Sequence, residues 1–201
     1  MIRNIIFDFG AVLVDWNPRY LYLPYFGGDE QKTEWFLTEV CPYVWNTTVD
    51  AGRDTQDAMQ ERIALYPEWE KEIRMYYGEW IKMMGGELPG MCDLLKELKA
   101  AGYRLYGLTN WSRETFPKIA DWPVFQQLEG YVVSGAERIK KPDQRLYRIL
   151  IERFGIDPAE SIFIDDSQAN LDGGEAVGIR GVLFESPEQI RLKLKEIGIC
   201  F

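Results

Sequence analysis

Asp8 closes the apolar run Ile5-Ile6-Phe7. An ionised carboxylate there is costly unless it is paired, hydrogen-bonded or bound to a metal. On that stretch alone, an Asp turning the chain beside Gly10 is the simpler reading. Three later stretches place groups of the same kind. YRLYGLTN ends at Thr109-Asn110, YVVSG leads through AERIKKPD to Lys141, and SIFIDD ends at Asp165-Asp166. Each has a modest explanation by itself: an Asx turn, a strand-end Thr, a solvated Lys, a helix-capping Asp. Together they put two acidic sites, a hydroxyl with an amide, and a lysine where one edge can gather them. Carboxylates from two strands can hold Mg2+ at oxygen distances of about 2.0–2.1 Å, and the ion offsets the charge of a phosphate that the acids alone would repel. Thr109 offers a hydrogen-bond donor and Lys141 a point charge to phosphate oxygens, while Asp8 can attack phosphorus and form an aspartyl-phosphate. The chain has no histidine, which removes Ser-His and Cys-His pairs, imidazole bases and HExxH metal sites.

The elements that must position these groups alternate in type after residue 88. LPGMCDLLKELKAAG, DQRLYRILIERFG and ANLDGGEAVG read as helices; YRLYGLTN, YVVSG, SIFIDD and GVLF read as strands. Ile5-Ile6-Phe7 reads as a strand buried on both faces. Strands alternating with helices predict an α/β fold with a doubly wound parallel sheet, and ligands of such sheets bind beyond the carboxyl ends of the strands. Residues 16–86 differ: they are rich in Trp, Tyr, Met and charge, with helical stretches and no clear strand. They are expected to form a small helical cap domain, residues 1–15 and 87–201 forming the core, with Asn17-Pro18 and Gly85-Gly86 as hinges.

The 201 residues suffice for one sizeable core plus an insertion. With 23 basic against 32 acidic residues the formal charge is -9, which disfavours a nucleic-acid partner. Cys41, Cys92 and Cys200 are an odd, widely spaced set that fits a reducing compartment and no zinc site. Neither a leader pattern nor a run long enough to cross a membrane is found, so the cytoplasm is the expected location and no membrane partner is expected.

FDFGAVLVD, LTN, KKPD and FIDDSQANLDGGEAVGI resemble, in order and spacing, the four motifs of the haloacid dehalogenase-like hydrolase superfamily. The likeness covers nearly the whole chain and implies a Rossmann-like core with a helical cap. It implies Asp8 as nucleophile, Thr109 and Lys141 as phosphate ligands, and Mg2+ held by Asp8, the Gly10 backbone carbonyl and Asp166, with Asp165 bound through water or in support. A small phosphorylated metabolite is the implied substrate, and one similar branch acts on glucose-1-phosphate. Most phosphatases of the family carry a second Asp where this chain has Gly10. That group protonates the leaving oxygen and then activates water, an effect worth ~10²–10⁴ in rate. Three readings follow: a phosphatase that finds its proton elsewhere, a metal-independent 2-haloacid dehalogenase, and a phosphate-binding regulatory module with little turnover. Two added acids beside Asp8 count against the second. Asp15, Asp50 and Glu79 are candidate substitutes for the missing acid. Asn110 either orients the phosphate or attacking water, or caps a helix over NWSRETF. Asn170 or Asp172 is placed to reach Lys141 or a metal-bound water, or simply opens a helix. Ser167 is expected to position Asp166, and Lys140 to face solvent. Trp45, Trp69, Trp80 and Met83 are expected to form the cap's own core, and Arg53 is the leading candidate for substrate selection.

Overall fold

A computed structural model describes residues 1–201. Its centre is a parallel five-stranded sheet in the order β5-β4-β1-β6-β7, formed by β1 (Asn4–Phe7), β4 (Arg104–Thr109), β5 (Gly130–Val133), β6 (Ser161–Asp165) and β7 (Arg180–Leu183). The side-chain period of two gives the central strands β1, β4 and β6 two buried faces. Ile5, Phe7, Leu105, Ile162 and Ile164 pack into one apolar cluster, and Ile6, Tyr106, Leu108, Val132 and Phe163 into another. Helices cover both faces. Leu94 and Leu98 of α6 (Met91–Ala100) and Ile190 and Leu194 of α10 (Pro187–Glu196) close the first. Leu146 and Leu150 of α8 (Gln144–Phe154), with Leu171 of α9 (Gln168–Glu175), close the second. The fold is therefore α/β and doubly wound.

Helix ends follow local chemistry. Asp143 accepts a hydrogen bond from Arg145 N at 2.9 Å to start α8, and Gly155 ends it in the left-handed region at φ 60°. α10, opened by the Ser186 hydroxyl accepting from Gln189 N, went unread in the sequence. NWSRETF forms no α-helix; the segment turns irregularly into a short 3₁₀ turn at Phe116–Lys118.

Five helices, α1 (Arg19–Tyr25), α2 (Glu30–Trp35), α3 (Tyr43–Asp50), α4 (Thr55–Leu65) and α5 (Glu70–Gly78), follow β1. They are bracketed by a feature that sequence reading missed, an antiparallel ribbon of β2 (Val14–Trp16) and β3 (Met84–Glu87). Three or four residues are too few to show a strand's alternation. The ribbon ties together the two points expected to act as hinges: Asn17 N donates to Met83 O at 2.8 Å, and a Cβ on Gly85 would collide with the Asp15 carboxylate. Gly85 thus serves close packing. Nor do the aromatics of this segment form a separate core. Trp45, Trp80 and Met83 belong to the same apolar cluster as one face of the sheet, with Trp69 packed against it, and Trp80 meets Trp111 edge-on at 5.6 Å. No helix is long and apolar enough to cross a membrane.

Candidate active site

Parallel register brings the chemistry together. Phe7 lies beside Gly107 on one side and Ile164 on the other, so Asp8, Thr109 and Asp165 leave three adjacent strands at the same edge. Lys141, in the loop after α7 (Ser134–Glu137), lies fully buried among them. Its Nζ is 2.9 Å from Asp8 Oδ1 and 2.7 Å from Asp165 Oδ2, and it donates to Leu108 O at 2.8 Å. The three ammonium hydrogens are all engaged. Burial opposes the charge on Lys141, but Asp8 and Asp165 outweigh it and hold the ammonium above its ordinary value. Asn110 fixes the Lys141 backbone from both sides, accepting from its N at 2.7 Å and donating to its O at 3.1 Å.

Asp165 is the hub of this arrangement. Besides Lys141 it accepts from Ser167 N at 2.8 Å and from Asn170 Nδ2 at 3.0 Å, and it has no exposed surface. Asp8 and Asp166 instead reach a cleft of ≈ 360 Å³. Asp8 Oδ1 also accepts from Phe9 N at 2.6 Å. Burial pushes Asp8 up to about 7, with Lys141 opposing and Asp165 adding to the rise. Burial likewise raises Asp166, again with Asp165 adding. One oxygen each from Asp8, Asp165 and Asp166 lie within 4.8 Å of one another. Three hard oxygen donors, two of them on residues paired with one ammonium, fit a divalent cation in both spacing and charge. The Thr109 hydroxyl is buried without a partner. Such an orphan costs ~1–3 kcal/mol, which an acceptor oxygen from a ligand would offset.

Gly10 lines the cleft. A Cβ there would meet nothing nearer than a Trp111 ring carbon at 3.6 Å, so space does not demand the glycine. Trp16, Tyr43, Trp80 and Trp111 form an aromatic wall, and Asn46, Asp50, Thr115 and Lys140 supply polar groups. Lys140 was expected in solvent; with Lys141 directed inward, its neighbour turns to the cleft.

Several other expectations need correcting. Arg53 is not part of the cleft lining; it pairs with Glu61 at 2.6 Å and donates to Asp57 O. Asp15 is bound by the Tyr20 hydroxyl at 2.6 Å and Glu79 pairs with Lys82, so neither lines the cleft, whereas Asp50 does. Asn110 caps no helix. Ser167 holds Asp165 through its backbone, not Asp166. Asn170 binds Asp165, while Asp172 accepts from Gln168 on the surface. Sequence reading missed Tyr43, Asn46 and Thr115, isolated polar residues in helical or irregular stretches that carry no motif.

This sheet edge, with acids and a buried lysine beyond the strand ends, is the candidate active site of an α/β protein. Residues 29–178 match the model of the haloacid dehalogenase-like hydrolase family, and the chain belongs to that family. It is 29% identical to a sesquiterpene phosphatase, astK of Aspergillus oryzae, over 98% of this chain and 97% of that one. It is 27% identical to the drimenol cyclase drtB of Aspergillus calidoustus over 98% of its own length, but spans only 37% of that protein. In fold it is similar to a HAD family enzyme, bt-2542 of Bacteroides thetaiotaomicron, solved as an aspartate-to-alanine variant with magnesium and inorganic phosphate. The TM-score is 0.70 at 20% identity, covering 92% of this chain and 95% of that one.

Proposed function

We propose that this chain is a Mg2+-dependent phosphatase acting on a small phosphorylated metabolite through an aspartyl-phosphate on Asp8. The observation that carries this reading is the gathering of Asp8, Asp165 and Asp166 within 4.8 Å beside one buried lysine. The phosphatase name of the Aspergillus oryzae relative and the magnesium and phosphate of the Bacteroides structure agree with it. Asp8, Asp166 and the Gly10 carbonyl are the groups we assign to the metal, with Asp165 in support. When bound, Mg2+ supplies positive charge against the phosphate oxygens.

Asp8 attacks phosphorus, the ester oxygen leaves, and water then hydrolyses the aspartyl-phosphate. Lys141 holds the nucleophile in place and balances its charge through the cycle. Thr109 and Asn110 are the proposed phosphate donors, Thr109 because its hydroxyl has nothing else to bond; Lys141, expected beside them, directs its three hydrogens to Asp8, Asp165 and Leu108 O instead. In this reading residues 16–86 act as a cap and residues 1–15 and 87–201 as the core, the aromatic wall receiving the non-phosphate part. A cleft of ≈ 360 Å³ is near the lower end for ligand sites, of order 300–1,000 Å³, which suits a sugar phosphate or a molecule of similar size. We keep the cytoplasm as the proposed compartment, given three unpaired thiols.

Metal-independent dehalogenation is the weaker reading, because it would set a carboxylate substrate against three acids. The test is a panel of sugar, prenyl and aryl phosphates and 2-chloropropionate, each with Mg2+ and with EDTA. Phosphate release that depends on Mg2+ and is lost in Asp8→Asn is expected. Halide release in EDTA, or no hydrolysis of any ester, would overturn the proposal.

A further inference from the structure

Ester cleavage to an alcohol needs a proton for the leaving oxygen, and this chain has neither a histidine nor a carboxyl at position 10. The cleft narrows the choice. Asp8 is committed to attack, and Asp166 to the cation. Asp165, behind them, is engaged at both oxygens. Asp50 is the remaining carboxyl on the cleft wall.

We propose that Asp50 is the general acid of the first step and the general base of the second, the role that position 10 leaves empty. This rests on the phosphatase reading above. In the first step an Asp8 oxygen bonds to phosphorus and the bond from phosphorus to the ester oxygen breaks. The electron pair stays with that oxygen, the Asp50 proton joins it, and the alcohol leaves. In the second, water oxygen bonds to phosphorus, the bond to Asp8 breaks and restores its carboxylate, and a water proton returns to Asp50 as inorganic phosphate forms.

The surroundings of Asp50 suit a proton carrier. Its residue is 8% exposed and it forms no ion pair. Its one side-chain partner is Asn46, whose Nδ2 donates to Oδ2 at 3.2 Å, which leaves Oδ1 free. Asn46 is itself oriented by the Tyr77 hydroxyl at 3.0 Å, from α5. The charged and titratable groups acting on Asp50 are Lys140 and Asp8 from the core, Tyr43 from its own helix, and Tyr76 and Tyr77 from α5. Burial pushes its carboxyl up to about 8, Lys140 opposing and Asp8 adding, so it keeps a proton at neutral pH that an exposed Asp loses.

Its position is fixed from the core. Ser134 Oγ donates to the Asp50 carbonyl, and Thr55 donates to Glu114 through N at 3.1 Å and through its hydroxyl. Between them Gly52, at φ 98°, passes so close to Arg138 that a Cβ would lie 2.7 Å from its Cγ and 3.0 Å from its Cα. The end of α3 is thus clamped to the domain that carries Asp8, as a proton transfer over hydrogen-bond distance requires.

Leaving-group dependence provides the test. With Mg2+ present, Asp50→Asn is expected to slow an alkyl phosphate by ~10²–10⁴-fold. 4-Nitrophenyl phosphate, whose phenolate leaves without a proton, should still phosphorylate Asp8. With the base of the second step gone, it should give a burst of nitrophenolate stoichiometric with enzyme. The ratio of the two rates, taken on one preparation, does not depend on the fraction folded. Equal losses on both esters without a burst, or unchanged rates on both, would overturn the assignment while leaving the phosphatase reading intact. A wild type inert to every ester would remove both.

Discussion

As the proposed nucleophile, Asp8 faces conflicting demands: it would have to be ionised to attack, yet it sits where burial favours its neutral form. Lys141 answers part of this by contributing a buried cation shared with Asp165. The proposed Mg2+ answers the rest, since three carboxylates exceed what one ammonium balances. At this scale two substitutions separate chemistry from stability. Asp8→Asn is expected to abolish turnover while keeping a cooperative melt, because amide and carboxyl have the same shape; persistent phosphate release would remove Asp8 as nucleophile. Lys141→Met is expected to lose activity and also to destabilise the fold by about 3–5 kcal/mol, because removing one partner leaves buried charges uncompensated. Urea unfolding at neutral pH measures this, and an unchanged midpoint would mean that the acids have neutralised themselves.

The elements place the site by close approach as much as by register. At the start of α7, Gly135 runs against the segment that carries Trp111. A Cβ there would lie 2.6 Å from Arg113 N and 2.7 Å from Trp111 O, and backbone atoms cannot swing aside as side chains do. Gly135→Ala is therefore expected to cost about 1–3 kcal/mol, the usual penalty for overpacking. It should also weaken substrate binding, because Trp111 forms part of the aromatic wall. A lower urea midpoint at unchanged slope, with a raised KM, checks both. The same sensitivity is expected at Gly52, which passes close to Arg138.

The proposed metal and the protonation of Asp50 would both couple the site to the stability of the whole molecule. Mg2+ at 100 times its dissociation constant should stabilise the fold by ~2.7 kcal/mol, seen as a rise in melting temperature that Asp166→Ala removes. Asp50 gives a pH dependence of definite sign. Its carboxyl lies at about 8 in the fold against an ordinary 3.8, so between those values the folded chain holds a proton that the unfolded chain has released. Stability from this group therefore falls as pH rises through that window. Asp50→Asn carries no such penalty. In EDTA its advantage over wild type should grow as pH rises from 3.8 to about 8 and vanish below; a constant difference would show that burial does not raise Asp50.

The sequence alone determined the α/β alternation, the strand ends that carry Asp8, Thr109 and Asp165, and the family, because strand period, helix period and motif spacing are local properties of the chain. Even the absence of an acid at Gly10 was legible. Only the tertiary structure decided which side chains face which. Lys141 turned inward and Lys140 to the cleft, Arg53 went to a surface pair with Glu61, and Asn170 went to Asp165. The ribbon of β2 and β3 and the apolar cluster that one face of the sheet shares with the segment of α1–α5 were also hidden, being too short or too non-local to leave a periodic trace. Among the three carboxyls proposed to replace the missing acid, only Asp50 lines the cleft, and the proposal for it rests on its burial and neighbours. Those are fixed by segments more than eighty residues apart, such as Asp50 and Ser134, and no local pattern encodes their meeting.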